Sequence, residues 1–196
     1  MPTHEAGTAD TFDSLNPATG DVVGTYPIQS EADVRAVVER AKTAAATWRH
    51  IGFAGRREML DNWKRYLVAH VDEITELLGR EGGKRAGEAH MEMIMSLDHL
   101  AWAAKNAKKI LGRHKVPAGL LMSNNKAYLE YQPLGVIGVI GPWNYPVFTP
   151  MGSIAYALAA GNAVVFKPSE YTPGVGRWLV ESFAAANPDY ADVFQV

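Results

Sequence analysis

Two short, uninterrupted apolar runs constrain the fold of this chain more than any other feature: Leu134 to Ile140 (LGVIGVI) and Ala163 to Lys167 (AVVFK). A strand with one wet face alternates apolar and polar residues, whereas a run that is apolar throughout asks for cover on both faces, as inside a parallel sheet. The sequence between the runs fits that reading. Gly141-Pro142-Trp143-Asn144-Tyr145-Pro146 breaks the first run, small and apolar residues continue at helical length from about Val147 to Ala160, and Gly161-Asn162 closes the helix. After the second run, Pro168-Ser169-Glu170 reads as a loop, and Thr172-Pro173 as the cap and first-turn proline of another helix. A third strand is expected near Val193. Strand, helix, strand, helix, strand over residues 134–196 predicts a right-handed, doubly wound α/β unit. Ligands of such sheets gather beyond the carboxyl ends of the strands, so Asn144 and the Lys167 to Glu170 loop are expected on one ligand-facing edge.

Upstream, the signals are helical. Ser14 to Pro27 places an Asn-Pro-Ala-Thr-Gly turn between two extended pieces and predicts a hairpin, preceded by a loose polar tail over 1–13. Ser30, with Glu31 and Asp33 behind it, caps an amphipathic helix running to about Trp48. A continuous helical period from Arg56 to Glu81 predicts one long helix, stopped by Gly82-Gly83, and a further helix is expected from Ala86 to Leu111. Over 112–133 the pattern turns extended, with Asn124-Asn125 as a turn and strand-like alternation from Ala127 to Tyr131; this predicts a protruding β-hairpin of the kind used for subunit contact. The organisation expected is therefore a tail (1–13), a hairpin and helices (14–111), an oligomerisation hairpin (112–133) and the βαβαβ segment (134–196).

Charge narrows the function classes. With 196 residues, a net charge of −2 and both signs interspersed, the chain has no basic face for nucleic acid and no polybasic helix for a membrane surface. No apolar stretch approaches the ~20 residues of a membrane helix, so a cytoplasmic protein acting on small molecules is expected. Cysteine is absent, which excludes disulfides, thiolate metal sites and a thiol nucleophile within these residues. The six histidines show no metal-ligand spacing and read as packing or solvated residues; no metal is expected. Glu88 and Glu92 share a helix face that reads as wet, and Met91, Met93 and Met95 read as core filling.

Gly135, Gly138 and Gly141 are spaced by three and do not fit the G-x-G-x-x-G phosphate-binding fingerprint. In its place stand Lys167 and Glu170, three apart at the end of a strand. A carboxylate there can accept from both hydroxyls of a ribose; the alternative is an ion pair near a helix start. Asn144, framed by Pro142 and Pro146, can aim its amide as a donor at a developing negative oxygen, or serve simply as a turn residue.

PLGVIGVIGPWNYP (Pro133 to Pro146) followed by AAGNAVVFKPSEYTP (Ala159 to Pro173) closely resembles the aldehyde dehydrogenase superfamily, and NPATGDVVG (Asn16 to Gly24) and EGGK (Glu81 to Lys84) occur in the family's order. The resemblance spans nearly the whole chain and implies the N-terminal helices and first half of a Rossmann-like NAD(P)-binding domain. It implies oxidation of an aldehyde to a carboxylic acid, with Asn144 donating to the oxyanion, Lys167 and Glu170 binding the adenosine ribose, Ser169 lining the same loop and Trp143 packing on the nicotinamide side. In the family a cysteine thiolate attacks the aldehyde, hydride passes to the nicotinamide and a glutamate-activated water releases the acid. Neither that cysteine nor the second cofactor loop lies before Val196, so these residues by themselves are expected to be inactive. NAD is expected over NADP, because Glu170 repels a 2′-phosphate although Lys167 attracts one. A homodimer or homotetramer is expected of the complete protein. The competing reading is a non-catalytic fragment or pseudoenzyme that binds nucleotide or serves assembly.

Overall fold

The computed structural model describes residues 10–196. Strands β1 (Thr11–Leu15) and β2 (Val22–Pro27) form the expected antiparallel hairpin. Its turn is pinned by Asn16, whose Oδ1 accepts the Ala18 N–H at 2.9 Å. Because β1 begins at Thr11, the end of the stretch read as a tail is paired sheet; residues 1–9 lie outside the described residues.

Helix α1 (Glu31–His50) starts on a complete capping box: Ser30 Oγ accepts the Asp33 N–H, and the Asp33 carboxylate accepts the Ser30 N–H. The single helix expected from Arg56 to Glu81 is two, α2 (Gly52–Ala69) and α3 (Val71–Gly82). His70 leaves helical geometry at φ −116°, ψ 25°. Its ring stacks on Tyr66 at 3.9 Å and its Nδ1 lies 2.9 Å from the Tyr66 carbonyl, so the end of α2 is satisfied locally. The apolar stripe continues through the break, so periodicity alone gives no sign of it. Gly83 then stops α3 at φ +65°, in the left-handed region that favours glycine.

Helix α4 (Ala86–Leu111) has the bounds read from sequence. Strands β3 (His114–Val116) and β4 (Ala127–Leu129) pair antiparallel around a short 3-10 turn at Leu120–Met122. The rest is β5 (Val136–Ile140), α5 (Phe148–Ala160), β6 (Ala163–Lys167), α6 (Pro173–Ala186), a 3-10 segment Pro188–Val193, and β7 (Phe194–Gln195).

The sheet is parallel in the order β5-β6-β7. Both crossovers step the same way, so right-handed connection puts α5 and α6 on one face. Phe166 points to that face, against Phe194 at a ring separation of 6.3 Å. The opposite side of β6 meets α1, where Val34 and Val38 share a hollow with Val165 and Lys167. The core is rich in aromatics: Trp48, Trp63, Phe183 and Phe194 are fully buried. Both indole N–H groups are satisfied, Trp48 by the Leu158 carbonyl at 2.9 Å and Trp63 by Ser182 Oγ at 2.8 Å.

One expectation fails here. The run Leu134 to Ile140 is not buried on both faces: Leu134 is 87% and Ile140 79% exposed. Among the described residues β5 pairs only with β6, whereas the central β6 is covered on both sides.

Candidate functional site

The parallel register sets Ile140 opposite Lys167, and the Gly141 N–H extends the ladder by donating to the Lys167 carbonyl at 3.0 Å. The loops after β5 and β6 therefore leave the same sheet edge side by side, as expected of Asn144 and the Lys167 to Glu170 loop. Trp143 in one loop meets Tyr171 in the other, edge to face, at 6.5 Å.

Asn144 is exposed, and its Oδ1 accepts the Tyr145 N–H at 3.0 Å. With the amide oxygen engaged, Nδ2 is the end left to donate, and it has no partner among the described residues. The Lys167 ammonium lies 3.7 Å from the Glu170 carboxylate, with both side chains largely in solvent. Ser169 is buried; its hydroxyl donates to Glu170 Oε2 at 3.3 Å and accepts the Tyr171 N–H at 3.3 Å. The Glu170 carboxyl is held below its ordinary pKa, first by its own backbone N–H and then by the Ser169 hydroxyl and the Lys167 charge.

These groups border two hollows. One, of about 340 Å³, is lined by Lys167, Ser169 and Glu170 together with Tyr26, Ile28 and Pro173. The other, of about 700 Å³, is lined by Trp143, Glu170, Tyr171, Phe12 and Glu81. Glu170 belongs to both. An ammonium and a carboxylate at the mouth of a mainly apolar hollow of this size suit a sugar with its base tucked behind it.

Two buried carboxylates that sequence reading left aside hold this edge together. Glu81, 3% exposed, accepts from Gly174 N at 3.0 Å and Val175 N at 2.9 Å, the first free N–H groups of α6. Thr172, expected as the cap, makes no such bond, and its hydroxyl is buried without a partner among the described residues. Glu88 is exposed as read, but Glu92 is fully buried, which corrects its reading as part of a wet face. Its Oε1 accepts from Val147 N at 2.9 Å and Phe148 N at 3.0 Å, and its Oε2 is ion-paired with Lys84. A signal for Glu92 was present in the chain: Ala89, Met93, Ser96 and Leu100 are all buried on α4, and Glu92 falls within that helical stripe. Of the alternating methionines only Met93 is core, while Met91 is exposed, because α4 turns one face to solvent. At the other end of α5, the buried Arg56 guanidinium donates to the Ala159 carbonyl at 3.0 Å. Charges of opposite sign thus sit at the ends of α5 that the helix dipole favours for them.

Among the described residues, no group of three or more His, Asp or Glu side chains could hold a metal ion, and no helix is long and apolar enough to cross a membrane. His99 instead lies 2.8 Å from the Tyr156 hydroxyl through Nδ1, and His4 lies outside the described residues.

The sequence matches the aldehyde dehydrogenase family over residues 4–196. It is 36% identical to a protein of Sinorhizobium fredii named probable NADP(+)-dependent succinate-semialdehyde dehydrogenase, over 94% of this chain and 37% of that one. It is 38% identical to an N-succinylglutamate 5-semialdehyde dehydrogenase of Burkholderia vietnamiensis, over 90% of this chain and 35% of that one. The fold superposes on an NADP-dependent enzyme of E. coli with a TM-score of 0.89 at 30% identity, covering 95% of this chain and 38% of the other. An NAD-dependent benzaldehyde dehydrogenase of Corynebacterium glutamicum gives 0.87 at 30% identity, covering 98% and 41%. The chain thus spans little more than a third of the length of the curated relatives named here.

Proposed function

The chain belongs to the aldehyde dehydrogenase family, and from that premise we propose that it supplies the oxyanion donor and half the cofactor site of an enzyme oxidising an aldehyde to a carboxylic acid with NAD, or less readily NADP. The observation that carries the reading is the placement of Asn144. Its amide oxygen is tied to Tyr145 N, its Nδ2 is left free, and it shares a sheet edge with Lys167 and Glu170.

A bound nicotinamide dinucleotide would supply the hydride acceptor. Glu170 would accept from the adenosine-ribose hydroxyls and Lys167 would donate to them, with Ser169 holding the Glu170 carboxylate in place. Trp143 would wall the nicotinamide side. Asn144 Nδ2 donates to the carbonyl oxygen as it gains negative charge, and because the amide is already oriented, little reorganisation opposes the step. The cysteine nucleophile and the glutamate base of the family mechanism come from residues outside these 196, so the chain by itself does not turn over. The β3–β4 hairpin, whose connection exposes Leu120 at 90% and Leu121 at 95%, serves as the subunit contact of a homodimer or homotetramer.

The test is Asn144→Ala in the complete enzyme. Turnover falls by a factor of ~10² to 10³ while cofactor affinity is retained; unchanged turnover would end the assignment of Asn144.

A further inference from the structure

We propose that Glu92 and Lys84 are positioning residues that set the orientation of Asn144, an inference that rests on the oxyanion role given to Asn144 above. The turn carrying Asn144 runs from the end of β5 into the first residues of α5, and no regular hydrogen-bond ladder holds it. Its start is tied to β6 by the Gly141 N–H on the Lys167 carbonyl, and Trp143 meets Tyr171; beyond Asn144 the holding groups come from α4 and from the loop before it. Glu92 Oε1 takes the N–H groups of Val147 and Phe148, three and four residues past Asn144. Glu92 Oε2 binds Lys84, and the Lys84 ammonium also lies 4.0 Å from the centroid of the Tyr145 ring. Tyr145 is the residue whose N–H fixes the Asn144 amide oxygen.

One ion pair with a fully buried carboxylate therefore grips the turn at two points on the same side of Asn144: the aromatic ring of the next residue and the amides just beyond. A fully buried carboxylate with one oxygen on two amides of this turn and the other on Lys84 is an expensive arrangement for a purely structural purpose. A smaller uncharged cap could satisfy two amide groups. The extra feature here is the coupling of the cap to Tyr145 through Lys84, which ties the backbone amide entering α5 to the side chain beside the donor. An amide that must meet an oxyanion within a few tenths of an ångström needs such support, since misplacement by ~1 Å can cost ~10²-fold in rate.

The experiment uses the complete enzyme, with turnover measured on a saturating aldehyde and cofactor affinity measured by titration of NADH fluorescence. Four single variants are compared, Glu92→Ala, Glu92→Gln, Lys84→Met and Asn144→Ala, together with the double variant of Glu92→Ala and Asn144→Ala. Glu92→Ala is expected to lower kcat by ~10- to 10²-fold with cofactor affinity unchanged. Glu92→Gln, which keeps a carbonyl acceptor for the two N–H groups, recovers part of that loss. The double variant is expected to be no slower than Asn144→Ala alone, because a residue that acts through Asn144 has nothing left to position.

Wild-type kcat in Glu92→Ala overturns the proposal, as does a double-variant loss equal to the product of the single losses. Should Glu92→Ala fail to fold, Lys84→Met decides: it keeps the amide cap and releases Tyr145, and wild-type kcat there overturns the coupling. If Asn144→Ala itself turns over normally, the oxyanion reading falls and this inference with it. An impaired Asn144→Ala beside a normal Glu92→Ala removes the inference alone.

Discussion

Glu81→Ala tests whether a buried carboxylate borrowed from α3 is what starts α6. In the native protein two N–H groups, of Gly174 and Val175, donate to Glu81 at 3.0 and 2.9 Å, and the side chain is 3% exposed. Hydrogen bonds to a charged acceptor contribute about 1.5 to 3 kcal/mol each, and the helix dipole adds a few tenths that partly overlap them. Thr172 offers no replacement, because its hydroxyl makes no capping bond to α6. The expected loss is about 4 kcal/mol, a large part of the roughly 5 to 15 kcal/mol that holds a protein folded. With a urea m-value of about 2 kcal/mol/M, the midpoint falls by roughly 2 M. Urea unfolding followed by the fluorescence of the fully buried Trp48 and Trp63 reports it. Glu81→Gln keeps an acceptor oxygen for only one of the two N–H groups and is expected to lose less than Glu81→Ala but at least half as much. A Glu81→Ala midpoint within about 0.3 M of wild type would refute the assignment of Glu81 as the cap; equal losses in the two variants would show that the charge, rather than the hydrogen bonds, carries the effect.

Two further outcomes follow from titrating and charged groups. Burial, and then the Glu81 carboxylate, raise the Tyr26 pKa above its ordinary value, and the phenol lies 3.5 Å from Glu81 Oε1. The folded protein holds this proton more tightly than the unfolded chain, so the stability it contributes is full below pH ~10 and is lost as pH rises through the raised folded value. Tyr26→Phe should flatten that alkaline decline in thermal unfolding; a decline identical to wild type would contradict the sign. At the proposed cofactor edge, Glu170→Gln removes the charge that would face a 2′-phosphate and leaves Lys167 in place. The ratio of kcat/KM for NADP over NAD in the complete enzyme should rise by roughly 2- to 5-fold, the size expected of one exposed charge. An unchanged ratio would remove Glu170 from cofactor discrimination.

Much of the fold was legible because its signals are local. The bounds of α4 and β6 are those read from the pattern, the Ser30 capping box sits where its residues predict, and Gly83 and Gly161 end their helices in the left-handed conformation. The candidate site was legible in part. Asn144, Lys167 and Glu170 stand out because the carboxyl ends of parallel strands are where such sheets gather ligands, and the register of β5 and β6 brings their loops to one edge. The break at His70 was not legible, because the apolar stripe passes through it undisturbed.

The sequence by itself determined the order of the helices and strands apart from the break at His70, and those stops and caps that neighbouring residues supply, as at Ser30, Gly83 and Gly161. Each of these depends on interactions within about one turn of helix or one strand pleat, so a window of the chain contains the whole cause. The tertiary structure decided which charges are buried and which apolar residues are not. Glu92 reaches an amide 55 positions away and Glu81 one 94 positions away, and no window of the chain contains both partners. In the same way the exposure of Ile140 follows from the place of β5 in the sheet order, which is settled by what packs beside the strand and not by the residues within it.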